Sequence, residues 1–140
     1  MAEAFLLVEA GGRRVGLPVA QLEAVTDPGP LLRVPSTEPA LRGVATLRGG
    51  TLPIVDLRAL LEGSVPGVAR GELAVIVLAG GVRLGLEVDS ADVVFRGDPL
   101  PVPGDATMPW ARAVMRHQGA LVPLLDLGAL GARLSETGQA

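Results

Sequence analysis

The chain has 140 residues, 49% of them hydrophobic and 19% charged, which suits one globular core and is too apolar for disorder. The formal net charge is −3, and the basic residues are all arginines scattered singly or in pairs, so no nucleic-acid surface is expected. With no cysteine and a single histidine, a disulfide framework, a thiolate metal site and a cysteine nucleophile are excluded, and neither metal nor cofactor is expected.

At the start of the chain Glu3 stands where a signal peptide carries its basic region, and the apolar run Phe5–Val8 is short, so no secretory leader is expected. No apolar stretch approaches the roughly 20 residues that span a bilayer. A cytoplasmic protein without membrane insertion is the expectation. Phe5–Glu9 reads as a strand that ends at Gly11-Gly12, a pair suited to the positive φ of a tight hairpin turn, and Arg14–Val19 reads as its return strand. Asp27–Pro39 is a Pro/Gly-rich connection. Gly43–Leu47 and Thr51–Val55 form a second hairpin around Gly49-Gly50, and Asp56 precedes a short helical turn, Leu57–Leu61. After a second connection, Gly63–Gly71, the same order returns: Leu73–Ala79, Gly80-Gly81, Val82–Val88, the connection Gly97–Pro109, Ala113–Arg116, Gly119, Ala120–Leu125, Asp126 and another helical turn.

That recurrence is an internal duplication. A shift of 69 residues lays Val8, Gly11, Gly12, Arg14, Gly16 and Val19 over Val77, Gly80, Gly81, Arg83, Gly85 and Val88. A shift of 70 lays Arg42, Val44, Gly49, Pro53, Asp56 and Leu57 over Arg112, Val114, Gly119, Pro123, Asp126 and Leu127. Short strands at this spacing predict two related small β-barrels, with Pro53 and Pro123 at edge or bulge positions because proline donates no ladder hydrogen bond. The predicted division is one domain, 1–140, with a first subdomain over about 14–72 and a second over about 73–135 plus the N-terminal strand.

Paired aspartates in two repeats invite an aspartic-protease reading, but the small residues that let two carboxylates share a proton are missing, since Leu57-Arg58 and Leu127-Gly128 follow them. Helix capping accounts for Asp56 and Asp126. His117 has no Gly-x-Ser-x-Gly nucleophile to serve and is expected on a solvated hairpin. No phosphate-binding glycine pattern is present. The chain is therefore read as a binder of other proteins and not an enzyme. Arg48 stands out, because it heads the Arg48-Gly49-Gly50 turn while its repeat counterpart is Gln118. A guanidinium there can grip a partner's carboxylate or carbonyls.

The run Leu41-Arg42-Gly43-Val44-Ala45-Thr46-Leu47-Arg48-Gly49, followed by Pro53-Ile54-Val55-Asp56-Leu57-Arg58, resembles the signature of the CheW-like coupling proteins of bacterial chemotaxis. Gly16-Leu17-Pro18-Val19, Leu22–Val25 and Gly85-Leu86-Glu87-Val88-Asp89 fit the same family in order. Thr46 stands where the family usually has asparagine, and Ala24 where an acidic residue is common. The resemblance implies two intertwined five-stranded SH3-like β-barrels with short helical turns. It also implies an adaptor in a signalling array, peripheral to the membrane, that binds the cytoplasmic tip of a methyl-accepting chemoreceptor and the regulatory domain of a histidine kinase. Arg48, Gly43, Val44, Thr46 and Leu22 then fall on receptor-side or signalling positions, with Val19 and Val25 lining the same groove. The alternative is a divergent member that binds receptors or array components without activating the kinase.

Overall fold

Two runs with no polar interruption, Phe5–Val8 and Ala74–Val77, become strands buried on both faces. In a computed structural model of the protein, which describes residues 3–36, 38–47, 50–67, 71–104 and 108–137, they lie in β1 (Glu3–Ala10) and β6 (Leu73–Ala79). The first repeat continues with β2 (Arg13–Pro18), a 3-10 turn (Val19–Gln21), β3 (Leu22–Thr26), β4 (Leu41–Leu47), β5 (Gly50–Asp56) and α1 (Leu57–Glu62). The second continues with β7 (Val82–Val88), β8 (Ser90–Gly97), β9 (Ala111–His117), β10 (Ala120–Leu125) and α2 (Leu127–Thr137).

Among the described residues the strands form two five-stranded sheets, sheet I in the order β8-β1-β2-β10-β9 and sheet II in the order β3-β6-β7-β5-β4. Each sheet thus contains the first hairpin of one repeat and the last three strands of the other. The joins are short parallel ladders: β2 meets β10 at Gly16 and Leu124, and β7 meets β5 from Gly85 and Ile54 onward. The strand pairing runs across the expected division. A cut near residue 72 separates the repeats, but β2 pairs outside the 14–72 unit, and β6 and β7 pair with β3 and β5. The physical reason is reciprocal: each first hairpin finds a partner on both sides only by crossing to the other repeat.

Period-two alternation then sorts the side chains into three cores. Leu6, Val8 and Ala10 of β1 join Val75, Val77 and Ala79 of β6 and both helices in a shared core between the sheets. The opposite faces fill smaller clusters, Phe5, Leu7, Phe95, Met115 and Leu124 in sheet I and Ala45, Leu52, Ile54, Ala74 and Ile76 in sheet II. Sheet I curls until its outer strands touch, with His117 of β9 tilted against Phe95 of β8 at 4.8 Å between centroids. His117 lies in the β9–β10 hairpin, as expected, but is half-buried there, with Nε2 enclosed and unbonded among the described residues.

The first hairpins turn as expected, with φ of 61° and 81° at Gly11 and Gly12 and 57° and 84° at Gly80 and Gly81. The prolines do not sit at edges. Pro53 and Pro123 are in the interior strands β5 and β10, just before the parallel ladders begin, where no bond to the neighbour is required of them. The repeat symmetry extends into the connections, since Leu32 exchanges backbone bonds with Val44 as Leu100 does with Val114. At the C-terminal side α2 runs for 11 residues, longer than the helical turn predicted there.

Candidate functional site

Asp56 ends β5 in extended conformation (φ −73°, ψ 108°), and its Oδ1 accepts from the Ala59 amide at 3.4 Å, which caps α1. Asp126 caps α2 in the same way, through Ala129 at 3.0 Å. The capping role read from the sequence is what the carboxylates do.

Asp56 has a second task. Its Oδ2 lies 3.3 Å from Arg42 Nη2 and 3.6 Å from Arg58 Nη2. Arg42, on β4, also donates from Nε to Glu87 Oε1 at 2.9 Å, and from Nη1 to the Gly67 carbonyl at 2.7 Å. The Gly67 amide donates back to Asp56 Oδ2 at 3.3 Å, so this one residue is held through both its N–H and its C=O. Arg58 adds bonds to Glu62 at 2.8 Å and to the Val65 carbonyl at 3.2 Å. Asp56 and Glu87 are only 5% and 2% exposed. Charges this deep are tolerated when paired and fully bonded, and here they tie β4, β5 and β7 to the connector that follows α1. Sequence reasoning missed this cluster. The available signal was Glu87 inside an apolar strand on the same face as Gly85, but its partner Arg42 lies 45 residues away.

The residues flagged for partner binding fall into two groups. Val19 in the 3-10 turn and Val25 on β3 are exposed, the latter by 46%, and Leu22 is half-buried against the shared core. Gly43, Val44 and Thr46 lie on β4, respectively buried, half-buried and exposed. Both strands are edges of sheet II, with β6, β7 and β5 between them in the sheet order. Arg48 lies outside the described residues.

Gly43 has a structural explanation of its own. A β-carbon there would stand 2.9 Å from the Leu32 carbonyl oxygen and 3.1 Å from Leu31 Cβ, because the Leu31–Leu32 segment is hydrogen-bonded along β4. Gly43→Ala is expected to lower stability by about 1–2 kcal/mol through overpacking. The check is a thermal melt together with amide exchange at Leu32 and Val44, which should accelerate; an unchanged melt would remove the steric role.

Among the described residues no helix is long and apolar enough to cross a membrane, and no group of three or more His, Asp or Glu could hold a metal ion. What the geometry defines is a duplicated β domain with exchanged hairpins, a sheet II whose β4 edge is bridged by Leu32, and an internally satisfied charge cluster. The chain belongs to the CheW-like domain family, whose sequence model matches residues 4–134. It is 29% identical over 136 residues to "Chemotaxis protein CheW" of Klebsiella aerogenes, a match that covers 96% of this chain and 76% of that protein. The fold is similar to the crystal structure of the scaffolding protein TtCheW from Thermoanaerobacter tengcongensis, with a TM-score of 0.78, 19% identity and 89% of each chain covered.

Proposed function

We propose that this chain is a cytoplasmic coupling adaptor that holds a chemoreceptor tip and the regulatory domain of a chemotaxis histidine kinase in one array, and that it catalyses nothing itself. The observation that carries the reading is the exposed edge of sheet II. Val25 stands out from β3, which among the described residues pairs only with β6, and Val19 stands out from the turn before it. Aliphatic side chains on an open edge suit a helical bundle that lays apolar ridges along them. The assembly vocabulary of the relatives, chemotaxis and scaffolding, supports the same reading.

In this scheme Arg48, which falls between β4 and β5 in the sequence, sets the register of the partner through charge-assisted bonds. Thr46 and Val44 extend the contact along β4. Signalling requires that the receptor's two states differ in their affinity for the adaptor or for the kinase it presents, since equal affinity shifts no population. Single contacts of micromolar strength are sufficient, because the array supplies avidity.

The test is Arg48→Glu in a reconstituted mixture of receptor, kinase and adaptor. The variant should keep the wild-type melting curve and lose kinase activation. Undiminished activation would take Arg48 out of the interface.

A further inference from the structure

Beside Gly43 two segments rise as the walls of a groove of about 560 Å³. Leu31, Arg33 and Val34 form one wall, Val65 to Gly67 form the other, and Arg42 and Gly43 lie in the floor. Both walls are fixed. Leu32 is bonded to Val44 at 2.9 and 2.8 Å, and the connector is held by Arg42, Asp56 and Arg58 through Gly67 and Val65. Held open in this way, the groove carries aliphatic side chains that folding leaves in water. Val65 is 65% exposed and Val34 is 39% exposed, and Leu31 is half-buried beside them. Apolar surface gathered at one place is the mark of an interaction site.

The charges are unequal. Arg42 in the floor is engaged with Glu87, Asp56 and Gly67. Arg33 on the wall is exposed and makes no hydrogen bond or ion pair among the described residues. The second repeat does not reproduce it: with Leu100 standing where Leu32 does, the next residue is Pro101 instead of Arg33. A spare guanidinium beside an aliphatic trough fits a carboxylate next to an aliphatic side chain.

We propose that this groove extends the receptor-binding footprint of β4, and that its occupant is a receptor helix carrying an aliphatic residue and an acidic residue three or four positions apart. The aliphatic side chain enters between Val34 and Val65, and the carboxylate pairs with Arg33. This rests on the receptor-binding reading above.

The experiment measures binding of a purified cytoplasmic receptor hairpin to the full chain by calorimetry. Arg33→Glu should weaken binding by about tenfold or more and Arg33→Lys by only a few-fold, because charge reversal sets like charges against each other. Neither should change the melting curve, since Arg33 makes no hydrogen bond or ion pair among the described residues. Val65→Ser should weaken binding a few-fold. Changing the opposing receptor carboxylate to arginine should restore binding to Arg33→Glu. Wild-type affinity in both Arg33→Glu and Val65→Ser would overturn the groove while leaving the receptor reading intact. Failure of the wild-type chain to bind the hairpin would overturn both.

Discussion

Replacing Arg42 with methionine is expected to cost about 3 kcal/mol, a large share of the roughly 5–15 kcal/mol that keeps a domain folded. The substitution withdraws a cation from two carboxylates that are 5% and 2% exposed. It also releases the Gly67 carbonyl, which Arg42 holds at 2.7 Å. Arg58 remains 3.6 Å from Asp56, while Glu87 loses the bonds of 2.7 and 2.9 Å that Arg42 makes to it. Methionine fills much of the arginine stem's volume, so the loss is chiefly electrostatic. The cost should therefore shrink when the carboxylates go too. A triple variant, Arg42→Met with Asp56→Asn and Glu87→Leu, should recover most of the stability, with asparagine still able to cap α1. Urea unfolding checks both variants, and a single variant as stable as wild type would show that the cluster adds nothing to the fold.

The second large effect is expected at Gly131→Ala. Gly131 is buried in α2, and a β-carbon there would overlap the Ala79 carbonyl oxygen at the end of β6. That oxygen belongs to the β6–β7 hairpin and cannot retreat without spoiling the turn at Gly80-Gly81. The helix must lift from the shared core, where Leu127 and Leu130 are buried. Overpacking costs about 1–3 kcal/mol, and alanine's better helix propensity returns at most about 1 kcal/mol. A fall in melting temperature of several degrees is the expected readout, at roughly 4 °C per kcal/mol. Gly128→Ala is the control, because its β-carbon would meet only Asp126 Oδ1, at 3.5 Å. That variant should melt at or slightly above the wild-type temperature. If both variants melted alike, close approach of the helix would not be what glycine provides at 131.

The features written locally in the chain were legible in it. Glycine pairs announced the first hairpins, apolar runs announced β1 and β6, and Asp56 and Asp126 announced helix caps, because each depends on residues a few positions apart. The strands β3 and β8 went unmarked. Leu22–Thr26 and Ser90–Gly97 are edge strands with much exposed surface, so neither pattern alternates cleanly. The exchange of hairpins was hidden for another reason. Its joins pair Gly16 with Leu124 and Gly85 with Ile54, and a parallel ladder between distant segments leaves no local signature. Arg42 with Glu87 is the same case in electrostatics. At the candidate site the sequence chose residues on the two edges of sheet II, and Gly43 now has an internal reason to be glycine. Arg33, on a wall that only the folded connector creates, had nothing in its neighbourhood to mark it.

Kinase autophosphorylation in a three-component mixture is the decisive measurement. Purified kinase, receptor cytoplasmic fragments on vesicles and this chain are combined, and each is omitted in turn. A coupling adaptor raises the kinase rate well above that of any two-component mixture, and attractant lowers it again. If the chain sediments with the receptor vesicles but the kinase stays at its basal rate, then it occupies arrays without coupling them, and the adaptor role proposed here is wrong.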